Sequence, residues 1–341
     1  MHDLAKRTLS SEENLLYVSL LERRLQFEPL QYIVGRWDFH HLSGLRIRKP
    51  MLCPRPETEE LVELVLSDID RLICDLNIDA GGGERRRKVR VLDVGCGTGA
   101  IGIAIARRYP EQVRVVALDV SKEAVELSNE NAALFLSSGD GTATTGGNDD
   151  DIDIIGDGGH DGGVISSYQA IVCSARDFTN DDEIVQSSDS GSSFAAGRER
   201  RRWEMDFDIV VSNPPYIPTG DMPGLSKDVS GFESRGALCG GDDGLDVIRD
   251  IVLRLPEWFS SPTTAAVIAA ADDYDDRTTR RMMRRRHCWM EVDDSHPAEL
   301  ERWLAPGSEE SILRGVEHSE SRKDFCGRDR FVKLVQSRDV K

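Results

Sequence analysis

The chain has 341 residues, and its 43 Lys plus Arg against 61 Asp plus Glu give a net charge of −18; that is length enough for one large domain, a smaller piece and a full core. Such acidity argues against a general binder of nucleic acid or acidic membranes, and no apolar run approaches the roughly 20 residues of a membrane span. Eleven of the acids fall in two stretches without a single Lys or Arg, 137–163 and 179–193, and without them the charge is −7, ordinary for a soluble enzyme. The seven cysteines, Cys53, Cys74, Cys96, Cys173, Cys239, Cys288 and Cys326, include no C-x-x-C pair. That pattern points to no zinc site, no disulfide framework and a reducing compartment. The first fourteen residues lack the apolar segment of a signal peptide.

Residues 11–30 carry Leu15, Leu16, Val18, Leu20, Leu21 and Leu25 at helical spacing, up to Pro29, which predicts a helix that packs on the adjoining part of the chain or belongs to a bundle. "RPETEELVELVLSDIDRLICDL" predicts a second helix with Thr58 as N-cap and Glu59 and Glu60 at the positive end of its dipole. After "GGGERRRK" come "VRVLDVG", a strand buried on both faces, "AIGIAIARRY", a helix, and "VRVVALDV", a strand. This is a βαβ unit of a parallel α/β sheet. "KEAVELSNENAALFL" is the next helix, and 137–163 is a Gly, Asp and Thr-rich stretch expected to be disordered. "YQAIVCSARDF" and "FDIVVSN" predict the third and fourth strands, separated by an acidic serine tract, and "GLDVIRDIVLRLPEWF" a helix. Residues 262–287 read as an irregular insertion with six arginines between Arg277 and Arg286, and "CWMEV" and "RFVKLV" as closing strands.

The turn "LDVGCGTGAIG" fits G-x-G-x-x-G through Gly97, Gly99 and Gly102, with Asp119 downstream at the spacing of a dinucleotide fingerprint. The discriminating residue is Asp93, just before the turn. A pyrophosphate at the following helix would meet it as a like charge, whereas a ligand bearing an ammonium group would be attracted to it. S-adenosylmethionine has such a group and no phosphate. Asp119 suits ribose hydroxyls, Asp177 an adenine amino group and Phe178 the adenine ring face; a capping acid and an ordinary core aromatic are the competing roles for Asp119 and Phe178.

"VVSNPPYIP" ends the fourth strand on a stiff turn, because neither Pro214 nor Pro215 can donate to a ladder. Asn213 offers a carbonyl acceptor and an amide donor, the Pro214 carbonyl is a second acceptor, and Tyr216 can cover one face of a planar group. A carboxamide or aromatic amine fits those acceptors through its two N–H groups. Such nitrogens are barely basic, so orientation must supply much of the catalysis.

Together these features resemble the class I S-adenosylmethionine-dependent methyltransferases. More closely, "PLQYIVGRWDF", "CPRPETEELVE", "VLDVGCGTGAIGIAIA", "VSNPPYIP" and "FESRGALCGGDDGLDVI" resemble the HemK/PrmC family of release factor glutamine methyltransferases, and "MEVDDSHPAELERWL" and "RKDFCGRDRFVKL" its eukaryotic, organelle-type branch. The resemblance implies a Rossmann-like, mostly parallel seven-stranded sheet with helices on both faces, preceded by a short helical remnant. It implies methylation of the glutamine of the Gly-Gly-Gln loop of a release factor by a mitochondrial monomer, with no metal and no stable nucleic-acid partner. The cofactor would contact Asp93, Gly95, Cys96, Gly97, Thr98, Gly99, Asp119, Asp177, Phe178 and Asn213, and the glutamine Asn213, Pro214, Pro215 and Tyr216. Arg55, Glu57 and Glu233 would lie around the pocket mouth or form structural ion pairs.

Residues 1–50 are expected to be a reduced helical region with a linking hairpin and 51–341 the methyltransferase domain, with insertions at 137–163, 179–200 and 262–287. Three departures stand out: about one helix in place of the N-terminal bundle, Ser234 where the family usually has proline, and the arginine-rich segment. The competing functions are N6-methylation of adenine in DNA or RNA, an NAD-dependent oxidoreductase, and a release-factor binder with little or no turnover.

Overall fold

The runs of Val, Ile and Leu between the glycine turns form the centre of a seven-stranded sheet. The computed structural model describes residues 8–79, 87–137, 167–179, 205–259, 286–305 and 315–337. The stretches 138–163 and 180–200, and most of 262–287, expected as insertions, lie outside the described residues.

In chain order the elements are α1 (Ser11–Leu25), α2 (Leu30–Val34), β1 (Arg36–Phe39), β2 (Leu42–Arg46), α3 (Pro56–Asp79), β3 (Val89–Val94), α4 (Ala100–Arg108), β4 (Val113–Asp119), α5 (Lys122–Leu136), β5 (Tyr168–Val172) and β6 (Ile209–Ser212). Then come α6 (Lys227–Ser230), α7 (Arg235–Leu238), α8 (Asp246–Trp258), β7 (His287–Glu291), α9 (His296–Trp303), β8 (Val316–Lys323) and β9 (Asp329–Gln336). The sheet order is β5-β4-β3-β6-β7-β9-β8, with β3 through β7 parallel and β9 antiparallel to both β7 and β8. β1 and β2 form a separate hairpin.

Alternation along the strands feeds two cores. Val91, Val115, Val211 and Trp289 face α3, α4 and α5 through Leu61, Val65, Ile103 and Ala132, whereas Leu92, Val116, Val210 and Met290 face α8 and α9 through Ile248, Ile251, Leu255 and Leu300. Burial on both faces explains why these strands read as unbroken apolar runs.

Helix α1 starts at a capping box, Ser10 with Glu13, but it buries none of its residues; Leu15 and Leu25 remain 74% and 69% exposed. Its apolar side is therefore left uncovered by the rest of the described chain. Strand β8, "VEHSESRK", lies at the sheet edge and exposes most of its length, so no apolar pattern announces it. Among the described residues no helix is long and apolar enough to cross a membrane, and no group of His, Cys, Asp or Glu could hold a metal ion. Among the described residues none of the seven cysteines forms a disulfide.

Candidate active site

Strands β3 and β6 are neighbours, yet their chain connections run to opposite sides of the sheet, which makes the gap beyond their carboxyl ends the place where an open α/β sheet binds ligands. Both sequence motifs leave the sheet there. Val94 pairs with Ser212, and the Ser212 hydroxyl donates to the Val94 carbonyl at 2.7 Å, so the glycine turn and the Asn213 turn start side by side.

On the first turn Gly95, Gly97 and Gly99 all have positive φ, which glycine adopts without strain. A Cβ on Gly95 or Gly97 would meet nothing within 4 Å, whereas one on Gly99 would strike Ser128 and Ile103. The first two glycines thus line open space and the third packs the helix start. Cys96 and Thr98 are buried. The Thr98 carbonyl accepts from Asn131 Nδ2, and Asn131 also exchanges hydrogen bonds with the backbone of Arg46, clamping β2 to the turn.

Asp93 lies fully buried beneath this turn. Its Oδ2 accepts the Gly102 N–H at 2.9 Å, while Oδ1 is buried without a hydrogen-bond partner among the described residues. Burial, opposed by the Gly102 bond and reinforced by the Asp119 charge, pushes its carboxyl up to about 7. An unpaired buried carboxylate suits a cation above it and opposes a pyrophosphate, acting through the turn by charge. Asp119 accepts from Gly97 N and Ser121 N, each at 2.9 Å, so it braces the turn and the entry to α5, and each oxygen keeps a further lone pair. The open glycine wall and these carboxylates fit S-adenosylmethionine.

Two expectations need correction. Strand β5 ends at Val172, so Asp177 and Phe178 stand beyond a turn in which the Ser174 hydroxyl binds the Asp177 carboxylate and its N–H. Asp177 remains exposed, but Phe178 is only 1% exposed; its ring lies 6.3 Å from those of Phe207 and Trp258, and its carbonyl accepts from Trp258 Nε1. It is a core aromatic with no free ring face for an adenine. Thr58 is not an N-cap, because α3 begins at Pro56, whose missing N–H costs nothing in the first turn.

The freed Thr58 hydroxyl donates instead to Glu291 Oε2 at 2.8 Å and accepts from Asn213 Nδ2 at 3.0 Å. Glu291 Oε1 accepts the Tyr216 hydroxyl at 3.2 Å, and the Arg330 guanidinium lies 5.7 Å from the Tyr216 ring. Burial raises the pKa of Glu291, opposed by the Thr58 bond and by the Arg330 charge. Burial, aided by Glu291, likewise raises Tyr216. Neither Glu291 nor Arg330 was singled out from the sequence, although an acid closing the otherwise apolar "CWMEV" was a readable signal.

Asn213 Oδ1 and the Pro214 carbonyl accept no hydrogen bond among the described residues. The "GG-DGL" loop holds the turn from behind: Ile217 N–H donates to Leu238, Gly240 N–H to Ile217 and Thr219 N–H to Gly241. A Cβ on Gly240 would lie 2.6 Å from the Pro215 carbonyl. Arg55 binds both oxygens of Glu233 at 2.8 Å, while Glu57 faces Arg328 at 3.5 Å; the first pair holds a buried carboxylate. Ser234 uses its N–H, which proline lacks, to reach the Pro50 carbonyl at 2.8 Å, so this departure ties the loop down. Arg286, the last of the arginine cluster, pairs with Asp206.

The sheet and its two turns define a class I methyltransferase. A methyltransferase domain model matches residues 85–139 and a PrmC N-terminal domain model residues 4–35. The human MTRF1L release factor glutamine methyltransferase is 30% identical over 96% of this chain and 73% of its own length. The Bacillus anthracis release factor glutamine methyltransferase is 28% identical over 74% of this chain and 66% of its own. Among solved structures, the hMettl16 catalytic domain in complex with MAT2A 3′UTR hairpin 6 gives a TM-score of 0.43 at 12% identity, covering 97% of this chain and 84% of that one. This chain belongs to the release factor glutamine methyltransferase family.

Proposed function

We propose that this protein methylates the side-chain amide nitrogen of the glutamine in the Gly-Gly-Gln loop of a peptide chain release factor, using S-adenosylmethionine, and that it works in the mitochondrion, as its resemblance to the organelle-type branch implies. The observation that carries the reading is the juxtaposition, across the β3–β6 gap, of an open glycine turn over Asp93 with two unused acceptors, Asn213 Oδ1 and the Pro214 carbonyl.

When bound, the cofactor supplies an electrophilic methyl group. Gly95 and Gly97 leave room for it, Asp93 places negative charge beneath a cationic group, and Asp119 offers lone pairs at the next strand end. Asn213 Oδ1 and the Pro214 carbonyl each take one N–H of the substrate amide, which fixes the plane of its nitrogen, and the Tyr216 ring covers one face. No side chain must remove a proton before attack, since the amide nitrogen becomes acidic only once methylated and can then release its proton to water. Orientation is the chief contribution of these residues.

The test incubates the protein with methyl-labelled S-adenosylmethionine, a release factor, the same factor with Gln→Ala in its loop, and an adenine-rich DNA duplex. Label on the unaltered factor alone is the expected result. Label on the duplex would transfer the reading to adenine, and label on none of them would leave a binder without turnover.

A further inference from the structure

Met290 pairs with Ser212 across the β6–β7 ladder, so Glu291 stands beside Asn213, the first residue of the turn. This carboxylate is 2% exposed and takes hydrogens from two hydroxyls, Thr58 and Tyr216. A hydroxyl has one hydrogen to give and a carboxylate has none. With its hydrogen committed to Glu291, Thr58 Oγ1 can only accept from Asn213. The Asn213 amide must therefore turn its nitrogen to Thr58, and its oxygen is left for the pocket. Reversing the amide would set two acceptors, Oδ1 and Oγ1, against each other at 3.0 Å in a part-buried place.

We infer that Thr58 and Glu291 are positioning residues that fix the Asn213 amide with its oxygen toward the substrate, and that this polarity selects a carboxamide over a carboxylate. The inference rests on the proposed role of Asn213 as a clamp for glutamine. An acceptor-only pocket, Asn213 Oδ1 with the Pro214 carbonyl, matches the two N–H groups of glutamine and repels the oxygens of glutamate. A freely turning Asn213 could present its N–H groups and would bind either. The same carboxylate anchors Tyr216, so one buried acid governs both side chains that flank the substrate.

The experiment compares wild type, Thr58→Val and Thr58→Ser. Valine keeps the shape and removes the hydroxyl; serine keeps the hydroxyl. The expected result for Thr58→Val is a fall in kcat on the release factor of about tenfold to a hundredfold, with the KM for the factor, set by contacts remote from the amide, unchanged within about threefold. Competition by a release factor carrying Gln→Glu in its loop should strengthen at least tenfold in the valine variant, as a lost polar mismatch predicts. Thr58→Ser should restore both quantities. A merely structural role for Thr58 would lower stability without altering the preference for Gln over Glu, and an unchanged preference in a folded Thr58→Val protein overturns the inference.

A measurement on wild type keeps the test standing if valine is not tolerated. With 15N-labelled asparagine, the Asn213 side-chain amide protons should show a nuclear Overhauser contact to the Thr58 methyl group and slow exchange with water. Rapidly exchanging protons without that contact would overturn the inference. If the wild type shows the contact but does not label the release factor, the proposed function fails while the positioning stands.

Discussion

The Arg55 guanidinium grips both oxygens of Glu233 at 2.8 Å, joining the segment before α3 to the loop before α7. The two ends differ in exposure: the Glu233 side chain is 1% exposed and that of Arg55 33%. Burial outweighs the pairing and raises the Glu233 pKa, so the carboxylate depends on its partner. Arg55→Ala should cost about 3 kcal/mol in urea unfolding, the usual penalty for stranding a buried charge. Replacing both residues with Met and Leu should recover more than half of that. Had Arg55 served the substrate instead, Arg55→Ala would raise the KM and spare the fold.

The buried carboxyl of Asp93, raised by desolvation to about 7, makes a signed prediction. Unfolded, it returns to about 3.9. Because the folded value is the higher one, its contribution to stability is complete below about pH 4 and is lost as pH rises through 7, by up to about 4 kcal/mol. Asp93→Asn, whose side-chain oxygen can still accept from Gly102, should remove that slope and be the more stable protein at pH 8 when free of ligand. The difference between the two urea-unfolding profiles across pH 4–8 is the quantity to measure.

The same acid should govern cofactor affinity in the opposite direction. A cationic group above Asp93 favours its charged form, so S-adenosylmethionine binding should tighten as pH rises towards about 7, release protons below that pH and level off above it. Titration calorimetry at several pH values would show this rising limb in wild type and its absence in Asp93→Asn. A wild-type affinity flat between pH 6 and 7.5 would count against the placement of the ammonium group near Asp93.

Gly240 and the Asn213 turn should prove inseparable. A methyl group on Gly240 would lie 2.4 Å from the Gly244 carbonyl and 2.6 Å from that of Pro215, both backbone atoms with little freedom to yield. Gly240→Ala should therefore shift the turn, lowering kcat about tenfold to a hundredfold while cofactor binding changes little. Thermal unfolding beside steady-state kinetics would separate displacement of the site from general loss of fold.

Asn213→Ala removes one of the two acceptors. Loss of one oriented polar group at a reacting centre commonly costs about 10²-fold or more in kcat. The Ser212 bond to Val94 and the Gly240 brace remain, so the fold should persist. Retained methyl transfer in this variant would favour a role for the turn as a rigid connection only.

Much of this molecule was legible along the chain, and the limit has a physical cause. Strands β3, β4 and β6, helices α4, α5 and α8, and both turns were readable, because a strand buried on two faces, an amphipathic helix and a proline-stiffened turn each write their geometry into neighbouring residues. Strand β8 was not, since an exposed edge needs no apolar side chains. Nor is the burial of Phe178 legible, because composition cannot distinguish a ring stacked on a cofactor from one lodged beside Trp258. The pairing of Thr58 with Glu291 had no local signature either. Their hydrogen bond spans 233 residues of sequence and exists only because β7 lies beside β6 and α3 packs across β7. Periodicity and turn chemistry act over a few residues, whereas the polarity of the Asn213 amide depends on which distant hydroxyl the folded sheet brings to it.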